Sequence, residues 1–139
     1  MPQSDQFGLL EVEMDGRRLI ANIDLSLRVF ADKSSFPWFL SVSTALTEAD
    51  ADGLPTNLEA DALNSWEDRV EAVIASATNF KYAGRVTWNG HRELLYQLKQ
   101  PEAAVSALQR LIDGGATRPF AFRCQRDDSW NHVSNYFAA

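Results

Sequence analysis

Six polar or aromatic residues after the last predicted strand form the best candidate for a site of chemistry. They are Arg123, Arg126, Asp127, Asp128, Trp130 and His132. An aspartate this close to a histidine can supply a general base and the group that orients it, and flanking arginines can hold an anion. The spacing matches no standard zinc or two-metal site. The structural alternative is that Asp128 caps a turn and Trp130 anchors the tail. Asp127 would then pair with Arg126 or Arg123.

A second polar cluster lies in a predicted hairpin around Asn89-Gly90. Its members are Gly84, Arg85, Thr87, Asn89, His91, Arg92 and Glu93. Arg85 beside Arg92 could grip a carboxylate or a phosphate, and a glycine inside a strand can mark the close approach of a ligand or a backbone. Alternatively, Gly84 makes room for an aromatic side chain, and the arginines pair with Glu93 and an acidic helix face.

The two clusters would form one ligand site if they met at one end of a sheet. The ligand-binding candidates are Arg85, Arg92, Arg123, Asp127, Asp128 and His132. Such a site needs a shared pocket, with carboxylate or imidazole groups within hydrogen-bond reach of each other. We predict no catalytic residue, metal ligand or cofactor, because the sequence has no glycine-rich phosphate loop, nucleophile elbow or zinc-protease motif. Cys124 alternates in phase with Phe120 and Phe122, which is typical of a small buried residue.

Composition favours a protein partner over nucleic acid or membrane. The 139 residues include 13 Lys and Arg against 19 Asp and Glu, a net charge of -6, whereas nonspecific binding to nucleic acid or anionic membrane depends on basic residues. No apolar run reaches the roughly 18 residues of a membrane span. A single cysteine and the lack of a signal-peptide pattern predict a cytoplasmic protein. Without repeats or a linker, we expect one domain over residues 1–139.

Two features predict surfaces for a partner. The acidic stretch from Glu48 to Glu71 could present a negative face to a basic protein. Phe39 shares a strand face with small residues, and an exposed phenylalanine in such surroundings can anchor an interface. The alternative is that Phe39 is buried under the N-terminal hairpin. The interface candidates are Trp38, Phe39, Glu67, Asp68 and Glu71, and a homodimer is compatible with them.

Alternating apolar residues predict the first three strands. The alternation flanks Asp15-Gly16, which predicts a hairpin with a type I′ turn, and continues to Leu27. Residues 38–46 alternate as a third strand. Thr56 and Glu59 then fit a capping box, in which each side chain bonds a free amide at the start of a helix. This amphipathic helix is expected to end near residues 78–79.

The second half predicts a hairpin, a helix and a last strand. A two-residue turn at Asn89-Gly90 would place the apolar residues of its strands on opposite faces, so we predict a bulged three-residue loop over residues 88–90 that gathers them on one face. A second helix begins at Pro101 and is closed by Gly114-Gly115. Residues 120–125 alternate as a strand, and we expect the apolar tail to dock as a turn followed by a short strand or one helical turn.

This order of elements predicts an α+β fold, a ferredoxin-like split βαβ plait with an N-terminal β-hairpin that extends or flanks the sheet. Two helices should lie on one face of an antiparallel sheet. The same plait serves as an RNA-recognition scaffold, which needs exposed aromatic residues for base stacking. The predicted outward positions lack them, so we expect no nucleic-acid binding.

Three stretches resemble a known family. They are Gly53-Leu54-Pro55-Thr56 leading to Leu63 and Glu67-Asp68, Gly84-Arg85-Val86-Thr87 with Gly90 and Arg92, and Arg126-Asp127-Asp128 with Trp130 and Tyr136-Phe137. In this order they resemble the bacterial family catalogued as domain of unknown function 695, although Phe137-Ala138-Ala139 replaces its usual aromatic-proline ending. The resemblance implies a small cytoplasmic bacterial α+β domain and transfers no catalytic residue. Members are sometimes joined to a domain similar to the B-type regulator of ribonuclease E activity, an acidic protein inhibitor.

Two functional hypotheses follow. The first is a non-enzymatic protein-binding module, for example an inhibitor or immunity-type protein, that uses an acidic helix face or an uncovered sheet face. The second is a small-ligand-binding protein or hydrolase-like enzyme that uses the arginine, aspartate and histidine cluster at one end of the sheet.

Overall fold

The computed structural model describes residues 6–116 and 118–137, and its framework is a six-stranded antiparallel sheet. The strands are β1 (Phe7–Met14), β2 (Arg17–Asp24), β3 (Trp38–Ala45), β4 (Phe80–Trp88), β5 (His91–Leu98) and β6 (Ala121–Arg126). The helices in this part of the chain are α1 (Asn57–Ala75), α2 (Glu102–Asp113) and α3 (Asn131–Ser134). The spatial order of the strands is β1-β2-β4-β5-β3-β6. The predicted α+β class is therefore confirmed.

The N-terminal hairpin forms as predicted and extends the sheet. Asp15 and Gly16 have φ angles of 52° and 77°, the positive values that a type I′ turn needs. β2 pairs with β4, which places β1 at the edge. The apolar alternation to Leu27 misplaces the end of β2, because the Asp24 side chain accepts the backbone N–H of Ser26 and starts a 3-10 segment, Leu25–Val29.

The turn between β4 and β5 has two residues, so the predicted three-residue loop is wrong. Asn89 and Gly90 have φ angles of 51° and 77°, again those of a type I′ turn. The irregularity in pairing lies within β4 instead, between Tyr82 and Gly84. A bulge adds one residue to a strand, so that the side chains beyond it change faces.

Both faces of the sheet are covered. The apolar residues of the β4–β5 hairpin can therefore be buried on either face, and a two-residue turn is compatible with their burial. One face, here called the helix face, carries a cluster to which α1 and α2 both contribute. Its buried members are Leu40, Val42, Leu63, Trp66, Val70, Ile74, Leu94, Tyr96, Leu98, Ala104 and Leu108. The other face, here called the tail face, is covered by the segment after β2 and by the C-terminal tail. Its buried members are Leu19, Ala21, Ile23, Leu27, Phe39, Ala83, Val86, Leu95, Trp130, Val133 and Phe137.

The start of α1 contains half of the predicted capping box. The hydroxyl oxygen of Thr56 accepts the backbone N–H of Glu59 at 3.3 Å. The Glu59 carboxylate does not return to Thr56, but accepts the backbone N–H of Thr47 at 2.5 Å and the guanidinium of Arg118 at 2.5 Å. Glu59 therefore connects the start of α1 to the segments that contain Thr47 and Arg118.

The apolar tail docks through one helical turn, α3, as the sequence predicts. Trp130, Val133 and Phe137 are buried on the tail face, and the Trp130 indole donates to the backbone oxygen of Phe36 at 2.9 Å. No helix in the described ranges is long and apolar enough to cross a membrane.

Candidate functional site

The structure separates the six predicted ligand-binding residues into two groups. Arg85 and Arg92 lie on β4 and β5 and reach Glu67 of α1 on the helix face. Arg123, Asp127, Asp128 and His132 lie on or just after β6, the edge strand opposite β1. Among the described residues, the side chains of the two groups make no hydrogen bond with each other. The lining of the cleft described below contains both arginines of the first group and no member of the second.

Asp127 and Asp128 exchange the roles that the sequence suggests for them. Asp127 caps the start of the tail helix by accepting the backbone N–H groups of Asn131 at 2.9 Å and His132 at 3.1 Å. Asp128 accepts from the Nε of Arg126 at 2.8 Å, in a pair that is exposed to solvent. Both aspartates thus make structural contacts of the kind that stabilise a turn.

The His132 ring stacks on an aromatic ring and is not oriented by Asp127. Its ring lies 4.4 Å from the ring of Phe39, nearly parallel to it, and its Nε2 lies 2.7 Å from the side-chain amide nitrogen of Gln125. Asp127 accepts from the backbone N–H of His132 and makes no hydrogen bond to its ring. Phe39 is 1% exposed, so it is not an exposed interface anchor, and the tail rather than the N-terminal hairpin covers it.

The other interface candidates are divided between buried and exposed positions. Trp38 is half-buried, and the Arg126 guanidinium lies 5.4 Å from its ring. Glu67 points inward to the arginines, whereas Asp68 is exposed. Glu71 is half-buried, and burial raises the pKa of its carboxyl. The acidic face of α1 is therefore narrower than the charge pattern indicates.

Glu67, Arg85 and Arg92 form a charged cluster between α1 and the sheet. The Arg92 guanidinium donates to Glu67 Oε2 at 2.5 Å and to the hydroxyl of Thr87 at 2.7 Å. Arg85 Nη1 donates to Glu67 Oε1 at 3.2 Å. The side chains of Arg92 and Glu67 are 7% and 12% exposed, and that of Arg85 is 30% exposed. One alternative from the sequence is that these arginines pair with Glu93 and with the acidic face of α1. The partner is Glu67, which directly follows the buried Trp66 and so lies at the border of the apolar stripe.

The bulge in β4 places this cluster on the helix face. Before the bulge, Tyr82 packs with the helix-face cluster, whereas beyond it Val86 belongs to the tail-face cluster. Arg85 and Thr87 consequently point toward α1. Burial lowers the pKa of Arg92, and Glu67 opposes this effect, so the guanidinium keeps its charge.

A cleft of about 330 Å³ opens beside the charged cluster, between the N-terminal hairpin and the segment before α1. Its polar lining is Asn22, Arg85, Thr87 and Arg92, and its apolar lining is Leu9, Ile20, Leu54 and Pro55. Apolar walls around a few polar groups are typical of a small-molecule site. Sequence reasoning finds its arginines but not its walls, because the walls come from segments that meet only in the fold.

One serine and carboxylate pair is not foreseen from the sequence. The Ser41 hydroxyl donates to Glu93 Oε2 at 2.5 Å, and Ser41 is 4% exposed. A serine nucleophile also needs a base that accepts its proton and donors that hold the oxyanion. In residues 6–116 and 118–137 neither member of this pair bonds a histidine, and no three metal-ligating side chains cluster. The pair is best described as a structural bond between β3 and β5.

The edge strand β1 exposes three apolar side chains. Leu9, Val12 and Met14 are 67%, 42% and 41% exposed. β1 pairs with β2 over its whole length without a bulge. Its outer edge has no partner strand among the described residues.

Comparison with known proteins gives one match. A family model described as a family of unknown function, DUF695, matches residues 8–137. No curated protein and no solved structure matches the chain.

Proposed function

The chain belongs to DUF695, a family of unknown function, and we propose that it is a non-enzymatic, cytoplasmic protein-binding module of the regulator, inhibitor or immunity type. The contacts of Asp127, His132 and Arg92 support a non-enzymatic role, because each is engaged within the fold. The cytoplasmic location is supported by the lone Cys124, which has no intrachain disulfide partner.

We also propose that the elements from β3 to β6 form a ferredoxin-like split βαβ plait within a single domain. Their order along the chain, β3-α1-β4-β5-α2-β6, is that of the motif. The contribution of α1 and α2 to one hydrophobic cluster supports the same interpretation. β1 and β2 would then be an addition to the plait, on the side of β4.

The observation that carries the binding proposal is the outer edge of β1, which has no partner strand among the described residues. Edge strands in soluble proteins are normally blunted by a proline, a bulge, a short length or inward-pointing charges, because unpaired backbone groups template the addition of another strand. β1 has eight residues, contains no proline and pairs without a bulge, and its charged side chains, Glu11 and Glu13, are exposed and do not point inward. The exposed side chains of Leu9, Val12 and Met14 add apolar area to this edge.

The partner is an extended segment of another protein that pairs with β1 as a further strand. Backbone hydrogen bonds would supply much of the affinity, and the exposed apolar side chains would set the preference for apolar residues in the partner. In a two-residue hairpin the residues on either side of the turn, here Met14 and Arg17, hydrogen-bond each other through their backbone groups. Since the bonded positions alternate, the backbone groups of Leu9, Glu11 and Glu13 point outward.

A proline at an outward-facing position tests this proposal without changing the apolar surface. Glu11→Pro removes one outward N–H, whereas the matched control Glu11→Ala removes the same carboxylate and the same exposed pair with Arg18 but keeps the N–H. Partners are captured by in-cell crosslinking of the full chain and quantified by mass spectrometry, and each purified candidate is then tested by titration. Both variants are checked for an unchanged circular dichroism spectrum and melting temperature.

We expect a stoichiometric partner that binds the wild type and Glu11→Ala alike and loses at least about tenfold in affinity with Glu11→Pro. The absence of any stoichiometric partner, or a partner indifferent to the proline, would overturn the proposal. The oligomeric state is measured by light scattering in parallel. If the protein is a dimer that dissociates with Glu11→Pro and not with Glu11→Ala, the partner is a second copy of this chain and not another protein.

A small-ligand-binding role is the second candidate, and the cleft beside Arg85 and Arg92 favours it. Its hydrolase-like form requires the aspartates and His132 to reach those arginines. Their positions after β6 place them outside the cleft lining.

A further inference from the structure

We infer that the cleft between the N-terminal hairpin and the segment before α1 is a binding site for a small organic monocarboxylate, whose carboxylate lies against Arg85 and Arg92 and whose hydrocarbon part lies on the apolar wall. The site does not use the outward backbone groups of β1, although Leu9 of that strand lines the cleft. Three features support it, namely the excess positive charge of the cluster, unused hydrogen-bond donors and the apolar character of the walls.

The charged cluster has one more positive group than negative group. Glu67 is the carboxylate that both Arg85 and Arg92 contact, and the two guanidinium groups remain charged at neutral pH. Arg85 and Arg92 line the cleft, whereas Glu67 is not part of its lining. The cleft therefore presents about one unbalanced positive charge, in a partly desolvated place where an ion pair is stronger than on an open surface.

Donor groups remain for a ligand after the internal contacts are counted. Arg85 uses only Nη1, toward Glu67 and Asn64, and Arg92 uses Nε and Nη1. Nε and Nη2 of Arg85 and Nη2 of Arg92 thus have no hydrogen-bond partner among the described residues. A guanidinium edge matches the two oxygens of a carboxylate.

The net charge and the walls select the ligand class. One excess positive charge matches a monoanion, whereas a phosphate dianion would bring its second charge close to the Glu67 carboxylate. Leu9, Ile20, Leu54 and Pro55 offer apolar surface for a hydrocarbon chain. The volume of about 330 Å³ lies at the small end of ligand sites, which fits a molecule of metabolite size.

The test is a titration of the full-length, ¹⁵N-labelled protein with hexanoate, followed by backbone and arginine Nε–H resonances. We expect saturable shifts at Ile20, Asn22 and Arg85 with a Kd on the order of 1 mM, a typical affinity for so few ligand atoms. The matched probes are hexanamide, which keeps the chain and loses the charge, and inorganic phosphate, which keeps a charge and loses the chain. Both are expected to bind at least about tenfold more weakly than hexanoate.

Two variants separate the site from nonspecific charge. Arg85→Gln should weaken hexanoate binding at least about tenfold, whereas Arg123→Gln, which removes an exposed arginine on β6, should leave the Kd unchanged. Glu67→Gln removes the internal carboxylate and should tighten both hexanoate and phosphate. Each variant is used only if its melting curve shows a folded protein. If Glu67→Gln does not fold, the test is the comparison of hexanoate, hexanamide and phosphate binding to the wild type.

Four outcomes would overturn the inference. They are the absence of saturable shifts up to about 20 mM hexanoate, equal binding of hexanamide, tighter binding of phosphate than of hexanoate, and equal losses with Arg85→Gln and Arg123→Gln. The partner at β1 keeps its own test, because Glu11→Pro acts on an outward backbone N–H of a residue that is not in the cleft lining.

Discussion

Asp127 and Asp128 are adjacent in the chain but have opposite environments. Asp127 is 7% exposed and accepts two backbone N–H groups at the start of α3. Asp128 points to solvent, and its one hydrogen-bond partner within the described part of the chain is the exposed Arg126. The backbone N–H of Asp127 also donates to the carbonyl of Pro37 at 2.7 Å, so this residue joins the tail to the segment before β3. Asp127 therefore acts together with the Trp130 indole, which donates to the Phe36 backbone oxygen, to fix the direction of the tail.

Asp127→Ala should lower the free energy of unfolding by about 1 to 2 kcal/mol, because it removes the side-chain acceptor of two helix-starting amides. Asp128→Ala is the matched control and should change it by less than about 0.5 kcal/mol, since exposed ion pairs contribute little. Urea unfolding measures both values. Hydrogen exchange of residues 131–137 should accelerate only in Asp127→Ala. Equal effects of the two substitutions would show that the cap does not hold the tail.

Gly84→Ala should destabilise the protein by about 3 kcal/mol or more, because a side chain there must displace backbone. A Cβ at Gly84 would lie 2.2 Å from the backbone oxygen of Asn22, and its φ of 149° is itself unfavourable for other residues. Gly16→Ala is the control. Gly16 also has a positive φ, but a Cβ at this position would meet no atom within 4 Å, so only the strain of about 1 kcal/mol applies. Thermal and urea unfolding of both variants should give this order, and a reversed order would contradict the bulge geometry.

The sequence predicts the elements better than their registers. The Asp15-Gly16 hairpin, the start of α1 at Thr56 and the docked tail all follow from local patterns of turn residues, caps and apolar spacing. The predicted β4–β5 turn is wrong because its register is derived from a sheet with one covered face. Whether the second face is covered depends on the tail, which is distant in sequence from this hairpin.

The candidate site is predictable in its residue types but not in its grouping. Arg85 and Arg92 come from neighbouring strands, so their proximity follows from the hairpin alone. Their partner Glu67 depends on how α1 crosses the sheet, and the apolar walls depend on the addition of β1 and β2. Of the two alternatives for Phe39, exposure is wrong for the same reason, since its cover includes His132 of the tail. Local patterns carry no information on such long-range packing.

Cys124 should react slowly with alkylating agents in the folded protein. The residue is half-buried beside the helix-face cluster, and burial, assisted by the charge of Glu102, raises the pKa of its thiol from 9.0 to about 11. Because the thiolate is the reactive form, this shift lowers the rate at pH 8 by about 100-fold relative to an unshifted thiol. Iodoacetamide labelling followed by mass spectrometry measures the rate. The urea-unfolded chain serves as the control, and equal rates in the two states would contradict the burial argument.

Glu59 and Arg118 form the most buried ion pair among the described residues, with side chains 2% and 11% exposed. Burial alone would raise the pKa of Glu59. The hydrogen bonds from Arg118 and Thr47 outweigh burial and lower the pKa of its carboxyl from 4.5 to about 2. Since the folded pKa lies below the unfolded value, the folded state favours the charged form. The resulting stability is present above pH 4.5 and is lost as the pH falls toward 2.

The wild type should therefore lose about 3 kcal/mol of stability from this group between about pH 5 and pH 2, in addition to the losses from other carboxyls. Glu59→Gln cannot titrate there, and it should be less stable than the wild type at pH 7 by about 3 kcal/mol because it leaves the Arg118 guanidinium buried without a counter-charge. The difference between the two proteins should shrink as the pH falls, since protonation of Glu59 makes the wild type resemble the variant. Urea unfolding at pH 7, 5, 4 and 3 gives this difference curve directly. A difference independent of pH would show that Glu59 contributes through packing and hydrogen-bond geometry, and that the charge of the pair does not stabilise the fold.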